Sequence, residues 1–98
     1  MAKVTRHRKA VVHRVLTGPG VASLAARRAA FDNGDAAPAR ALIDKVANRA
    51  WTITDEDVAA AKQELHEDEV FELVVCAAIG QATRQFEAAL AAVDEAAS

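Results

Sequence analysis

The sequence has no tyrosine and only three phenylalanines, one tryptophan, one cysteine, two prolines and four glycines in 98 residues. Each shortage excludes something. A single thiol cannot build a disulfide framework or a cysteine-based zinc site. No run approaches the roughly 18 consecutive apolar residues that span a bilayer as a helix. The basic start of the chain is not followed by the apolar stretch of a secretory signal, so the expectation is a cytoplasmic protein with no membrane partner. No segment alternates β-branched or aromatic residues with polar ones, as a half-buried strand would.

What the sequence does have is alanine, 25 residues of it. Alanine has the best intrinsic helix propensity, and with so few breakers the expected fold is all-α, a small helical domain of about five helices with a long last helix. The length suits one domain, residues 1–98. A domain of this size buries only about two-thirds of its unfolded surface, so its core is thin unless a partner adds to it.

Charge is divided along the chain. Residues 1–50 carry ten basic and three acidic side chains, whereas residues 51–98 carry two basic and eleven acidic ones. The simplest expectation is that the halves face each other, within one chain or across a dimer; an anionic partner is the other use for a basic half.

Helix boundaries follow from the caps and breakers. A first helix is expected over about Thr5 to Leu16, with Val4, Val11, Val12, Val15 and Leu16 on one side and Arg6, Arg8, Lys9 and Arg14 largely on the other. Gly18-Pro19-Gly20 stops it. A second runs from Ser23, a suitable N-cap, to Asp32, with Asn33-Gly34 as its stop. Pro38 suits the first turn of a third helix capped by Asp35, with Leu42, Ile43, Val46, Ala50 and Trp51 on its apolar face. The segment from Gly34 to Pro38 reads as a flexible joint. Thr54-Asp55-Glu56-Asp57 opens a short fourth helix, where acids suit the positive N-terminal end. His66-Glu67-Asp68-Glu69 opens the last, expected to reach about Ala96.

Three segments carry a family resemblance. They are residues 42–50 (LIDKVANRA), residues 52–58 (TITDEDV) and residues 68–80 (DEVFELVVCAAIG), the last followed by Arg84, Phe86 and Leu90. In this order they resemble the C-terminal part of the carboxymuconolactone decarboxylase and alkylhydroperoxidase-D-like superfamily, most strongly over residues 41–96. The resemblance implies that superfamily's helical fold. Redox-active members carry a Cys-x-x-Cys pair upstream of the matched region. Here no cysteine precedes Cys76, and a dithiol cycle needs two thiols. The expectation is therefore a chain that is neither a dithiol peroxidase nor a disulfide reductase. No catalytic, cofactor-binding or metal residue transfers onto it, and no cofactor is expected.

The individual candidates read as follows. Cys76 lies in an unbroken apolar run, residues 73–79, where burial raises a thiol's pKa and makes it inert. His7 and His13 are six residues apart among arginines, not at the i, i+4 spacing that shares a metal. His66 reads as a local cap. The basic cluster from Arg6 to Arg14 has no interleaved aromatic, and nucleic acid is the less favoured partner. Asn48, Trp51 and His66 are candidates for the edge of a small-molecule pocket. Phe71, Val75, Ile79, Phe86, Leu90 and Val93 are the expected oligomer interface, because four short alanine-rich helices cannot cover a last helix that is apolar on every side between Leu73 and Ile79.

These readings lead to one expected function, an oligomeric helical binding or assembly subunit with a divergent small-molecule pocket, which also leaves room for a partner protein. Its alternatives are a decarboxylase- or lyase-type enzyme acting on a small anionic substrate and a basic-helix regulator of nucleic acid.

Overall fold

The structure, a computed structural model, describes residues 2–97 apart from the side chains of Ala2 and Val4. The expected place of Val4 on an apolar stripe thus lies outside the described residues. Within them the chain is all-α. Five helices follow one another: α1 Ala2–Thr17, α2 Leu24–Phe31, α3 Arg40–Asn48, α4 Asp55–Glu64 and α5 Glu67–Ala97, with a single 3-10 turn, Ala50–Thr52, between α3 and α4.

Local chemistry accounts for most of these boundaries. α1 begins three residues earlier than the expected Thr5, in a stretch without a breaker, and ends at Gly18-Pro19. Ser23 caps α2, its hydroxyl accepting from the Ala26 amide at 3.1 Å. At the far end of α2 the left-handed position is taken by Asn33 (φ 52°) rather than by Gly34, whose amide donates to the Ala29 carbonyl at 2.9 Å. Asparagine tolerates this conformation better than other residues with a Cβ. Thr54 and Asp57 form a reciprocal capping box on α4, a contact whose loss by Thr54→Ala costs about 1 kcal/mol. His66 caps α5: its Nδ1 accepts from the Asp68 amide at 3.1 Å, and its own amide donates to Glu69 at 3.3 Å.

The start of α3 departs from expectation. Asp35 does not cap it, and Pro38 precedes it rather than lying in its first turn. The N-cap is Ala39, itself left-handed (φ 51°, ψ 47°) and without a side-chain cap. Tertiary contacts decide the entry instead. Arg40 donates to the Asn33 side chain at 2.6 Å and to its carbonyl at 3.2 Å, tying the start of α3 to the end of α2, while Glu64 accepts from the Ala39 amide at 3.4 Å. The expected flexible joint is a packed turn, with Ala37 only 5% exposed and its amide bonded to the Gly34 carbonyl.

α5 is the element the others pack on. One buried cluster joins Ala22, Ala30, Phe31, Ala37 and Ile43 to Leu73, Cys76 and Ala77; a second joins Ala39, Leu42 and Ala61 to Val70. The closest approach is at Gly80, where a Cβ would overlap the Phe31 carbonyl. One turn on, Arg84 donates to that same carbonyl at 2.7 Å, so Gly80 and Arg84 together seat the negative end of α2 on α5.

α1 lies antiparallel to α5. Val15 accepts from the Cys76 thiol, and seven residues earlier the Arg8 guanidinium stacks 4.2 Å from the Phe86 ring. Beyond Gly80 no residue of α5 is fully buried. The apolar stretch from Leu73 to Ile79 is not covered on all sides by its own chain: Leu73, Cys76 and Ala77 are buried, Val74, Val75 and Ile79 half-buried, and Ala78 exposed. No helix among the described residues is long and apolar enough to cross a membrane.

Candidate functional site

Three cavities lie along α5. The first, about 450 Å³, opens between the end of α1, the Gly18-Pro19 turn, α2 and α5. Its polar lining comes from Arg14, Arg27, Glu72 and Cys76, and its apolar lining chiefly from Val15, Phe71 and Val75.

Arg27 is the buried charge of the described chain, only 4% exposed. Such a side chain must find partners, and it does: Nε donates to the Ala22 carbonyl at 3.0 Å and Nη1 to the Gly18 carbonyl at 2.5 Å. Glu72 faces it from α5 and accepts from the Val21 amide at 2.8 Å and the Ala22 amide at 2.6 Å. The two side chains therefore clasp the same turn, one by its carbonyls and the other by its amides. Gly20 sits between them, where a Cβ would meet Arg27 and Glu72 together.

Protonation follows from this arrangement. Burial pushes the Glu72 carboxyl up, but the Ala22 and Val21 amides and the nearby Arg27 charge outweigh it and hold the group below its ordinary value. Burial pushes the Cys76 thiol up, and the Arg27 charge only partly offsets this. Cys76 is 1% exposed and directs its thiol to the Val15 carbonyl at 3.4 Å. It is held as a thiol and packs as an apolar side chain, as its sequence surroundings indicate. Arg14, by contrast, is exposed at the mouth of the cavity and has no ion pair or hydrogen-bonded side-chain partner among the described residues.

The second cavity is a groove of about 410 Å³ between α1 and α5, lined by His7, Arg8, Val11, Val12, Ile79, Ala82, Thr83 and Phe86. Arg8 lies across its floor, with Nε buried and without a hydrogen-bond partner among the described residues. The third, about 270 Å³, runs between α3, α4 and α5 beside Phe71.

The sequence-level site residues are distributed over these features. Asn48 donates to Asp44 at 3.0 Å, within a network that also holds Asn33, Arg40 and Arg49. Trp51 is not on the apolar face of α3, which ends at Asn48; it lies in the 3-10 turn and is 82% exposed. Ala50, in the same turn, is also exposed. His66 caps α5. None of these three lines the cavities described above. Of the expected interface residues, Phe71 (69%) and Val93 (63%) are largely exposed, while Val75, Ile79, Phe86 and Leu90 are half-buried. The charged halves meet only in part: Lys45 bonds Asp57 at 2.8 Å and Arg27 lies by Glu72, but Arg6, Lys9 and Arg14 of α1 join no ion pair among the described residues. The Arg27–Glu72 clasp went unread in the sequence; its one local signal is a glycine-rich turn ahead of a double arginine.

The chain matches no family model, no curated protein and no solved structure.

Proposed function

We propose that this chain is a non-redox member of the carboxymuconolactone decarboxylase and alkylhydroperoxidase-D-like superfamily, working in the cytoplasm as an oligomeric helical binding or assembly subunit. The carrying observation is the uncovered apolar side of α5, with Phe71 69% and Val93 63% exposed at its two ends. Large apolar side chains left in contiguous, solvent-facing rows mark interaction surfaces. The family part of the reading is supported by the capping box at Thr54 and the acidic start of a long last helix, and its non-redox part by the single thiol. Light scattering on a size-exclusion column at micromolar concentration tests the assembly. The wild type is expected to elute well above its 10.4 kDa monomer mass, and Phe71→Glu, at a position already in solvent, to return it to the monomer with unchanged helicity. A well-folded wild-type monomer would overturn the proposal.

One observation favours a second reading, a lyase-type activity on a small anion: Arg14 stands unpaired at the mouth of a cavity that Arg27 also lines. A guanidinium with open donors takes a carboxylate in bidentate fashion. On this reading a small dicarboxylate raises the thermal unfolding midpoint of the wild type but not of Arg14→Ala. An unmoved wild type rejects it.

A further inference from the structure

The twelve lysines and arginines of the chain fall into two groups. The seven beyond α1 each have a partner: Arg28 pairs with Asp32, Arg40 and Arg49 with Asp44, Lys45 with Asp57 and Lys62 with Glu67, while Arg27 and Arg84 donate to backbone carbonyls. The side chains of the five on α1 make no ion pair and no hydrogen bond among the described residues. Arg8 turns inward onto the Phe86 ring, and Lys3, Arg6, Lys9 and Arg14 are exposed. No Asp or Glu occurs in the 16 residues of α1. Pairing with the acidic half of the chain, the simplest expectation from sequence, therefore stops short of this helix.

Val12, Val15 and Leu16 hold the opposite side of α1 against the core. On the outward side, helical geometry sets Ala10 and Thr17 along the midline. Arg6, Lys9 and His13 fall to one side of that line, and Lys3, His7 and Arg14 to the other. All eight are exposed. The face is a ridge of small side chains between two basic edges, about 24 Å long.

We infer that this face docks in the major groove of duplex DNA and holds it through the phosphates, without reading base sequence. The inference is independent of the oligomeric reading, which concerns α5. A B-form major groove, about 12 Å wide, admits an α-helix. The small midline lets α1 enter, and the two basic edges then meet the two rows of phosphates that border the groove. Contacts of this kind fix position and carry no sequence information. Other polyanions fit less well. Single strands are gripped by aromatic side chains that stack on bases, and this face has no Phe, Trp or Tyr. Duplex RNA has a major groove too deep and narrow to read. A helix that lies in a membrane surface needs its apolar side free for lipid, whereas that side of α1 is spent on the core. The chain as a whole carries a net charge of -2, so the attraction comes from one helix and gives way readily to salt.

Fluorescence anisotropy of the full-length protein with a labelled duplex of about 20 base pairs, in about 50 mM salt, tests this. Micromolar binding is expected, with a slope of log affinity against log salt of about -3 to -4, as four phosphate contacts require. Arg6→Gln should weaken binding and reduce the slope by about one. Ala10→Glu, which sets a carboxylate on the midline in a good helix former, should abolish binding with unchanged helicity. Lys62→Gln, which removes a cation outside α1, should bind like the wild type. Duplex RNA of the same length and phosphatidylserine vesicles should both bind more weakly than DNA. A wild type that does not bind DNA, an Ala10→Glu variant that binds normally, or equal or tighter binding to the RNA or the vesicles would each overturn the inference.

Discussion

Glu72 and Cys76 sit one helical turn apart on α5 and respond to the same surroundings in opposite ways. Glu72 has two amides and a guanidinium to satisfy its charge, whereas Cys76 has a single carbonyl and an apolar wall. The thiol should therefore react slowly. Labelling of the native protein with a maleimide or aromatic disulfide is expected to proceed far more slowly than in denaturant, and equal rates would contradict the buried assignment. Glu72 should in turn make stability depend on pH. The native state holds this carboxyl below its ordinary value of 4.5, so its contribution is complete above that value and is lost as pH falls through the native one. Urea midpoints measured between about pH 5 and about pH 3 should fall more steeply for the wild type than for Glu72→Gln. Parallel slopes would show that the clasp on the Val21–Ala22 amides contributes nothing to acid stability.

At the scale of elements, the contact between α2 and α5 depends on a missing side chain. Glycine in a helix interior ordinarily gives way to alanine with a gain approaching 1 kcal/mol. At Gly80 the sign reverses, because the new methyl group would enter the Phe31 carbonyl, a backbone atom that cannot turn aside. Gly80→Ala is expected to lower stability by about 1–3 kcal/mol, measured by chemical denaturation, with helicity retained up to the transition. The helices themselves were largely legible in the sequence. Ser23, Thr54 and the acids after His66 mark their starts through contacts made within four residues, and the structure keeps each one. Illegible were features set by groups far apart along the chain. α3 starts at Arg40 because Asn33 and Glu64 hold its first turn, not because Asp35 or Pro38 dictates it. Likewise, Arg27 and Glu72 are 45 residues apart and meet only after α2 has packed on α5. The buried state of Cys76 was readable from its neighbours, while the cavity beside it was not, since its walls come from three helices and a turn.

For the molecule as a whole, the chief fact is that both buried clusters are completed by one element. Leu73, Cys76 and Ala77 close the first and Val70 closes the second, while α2 to α4 supply Phe31, Leu42, Ile43 and two alanines, and the turns between helices supply three alanines more. Most of the contact between helices is made with α5, so without it α1 to α4 have little buried surface to offset the entropy of ordering them. This makes the protein divisible at a defined place. A polypeptide of residues 1–66 should be largely unfolded by circular dichroism. A separate peptide of residues 67–97 should restore the helical signal when added at equal concentration, with binding weakened by Gly80→Ala in the peptide. A natively helical 1–66 fragment would show that the first four helices need no template. The final helix thus acts as an internal ligand for the rest of its own chain, and folding here is a binding reaction whose two partners share one backbone.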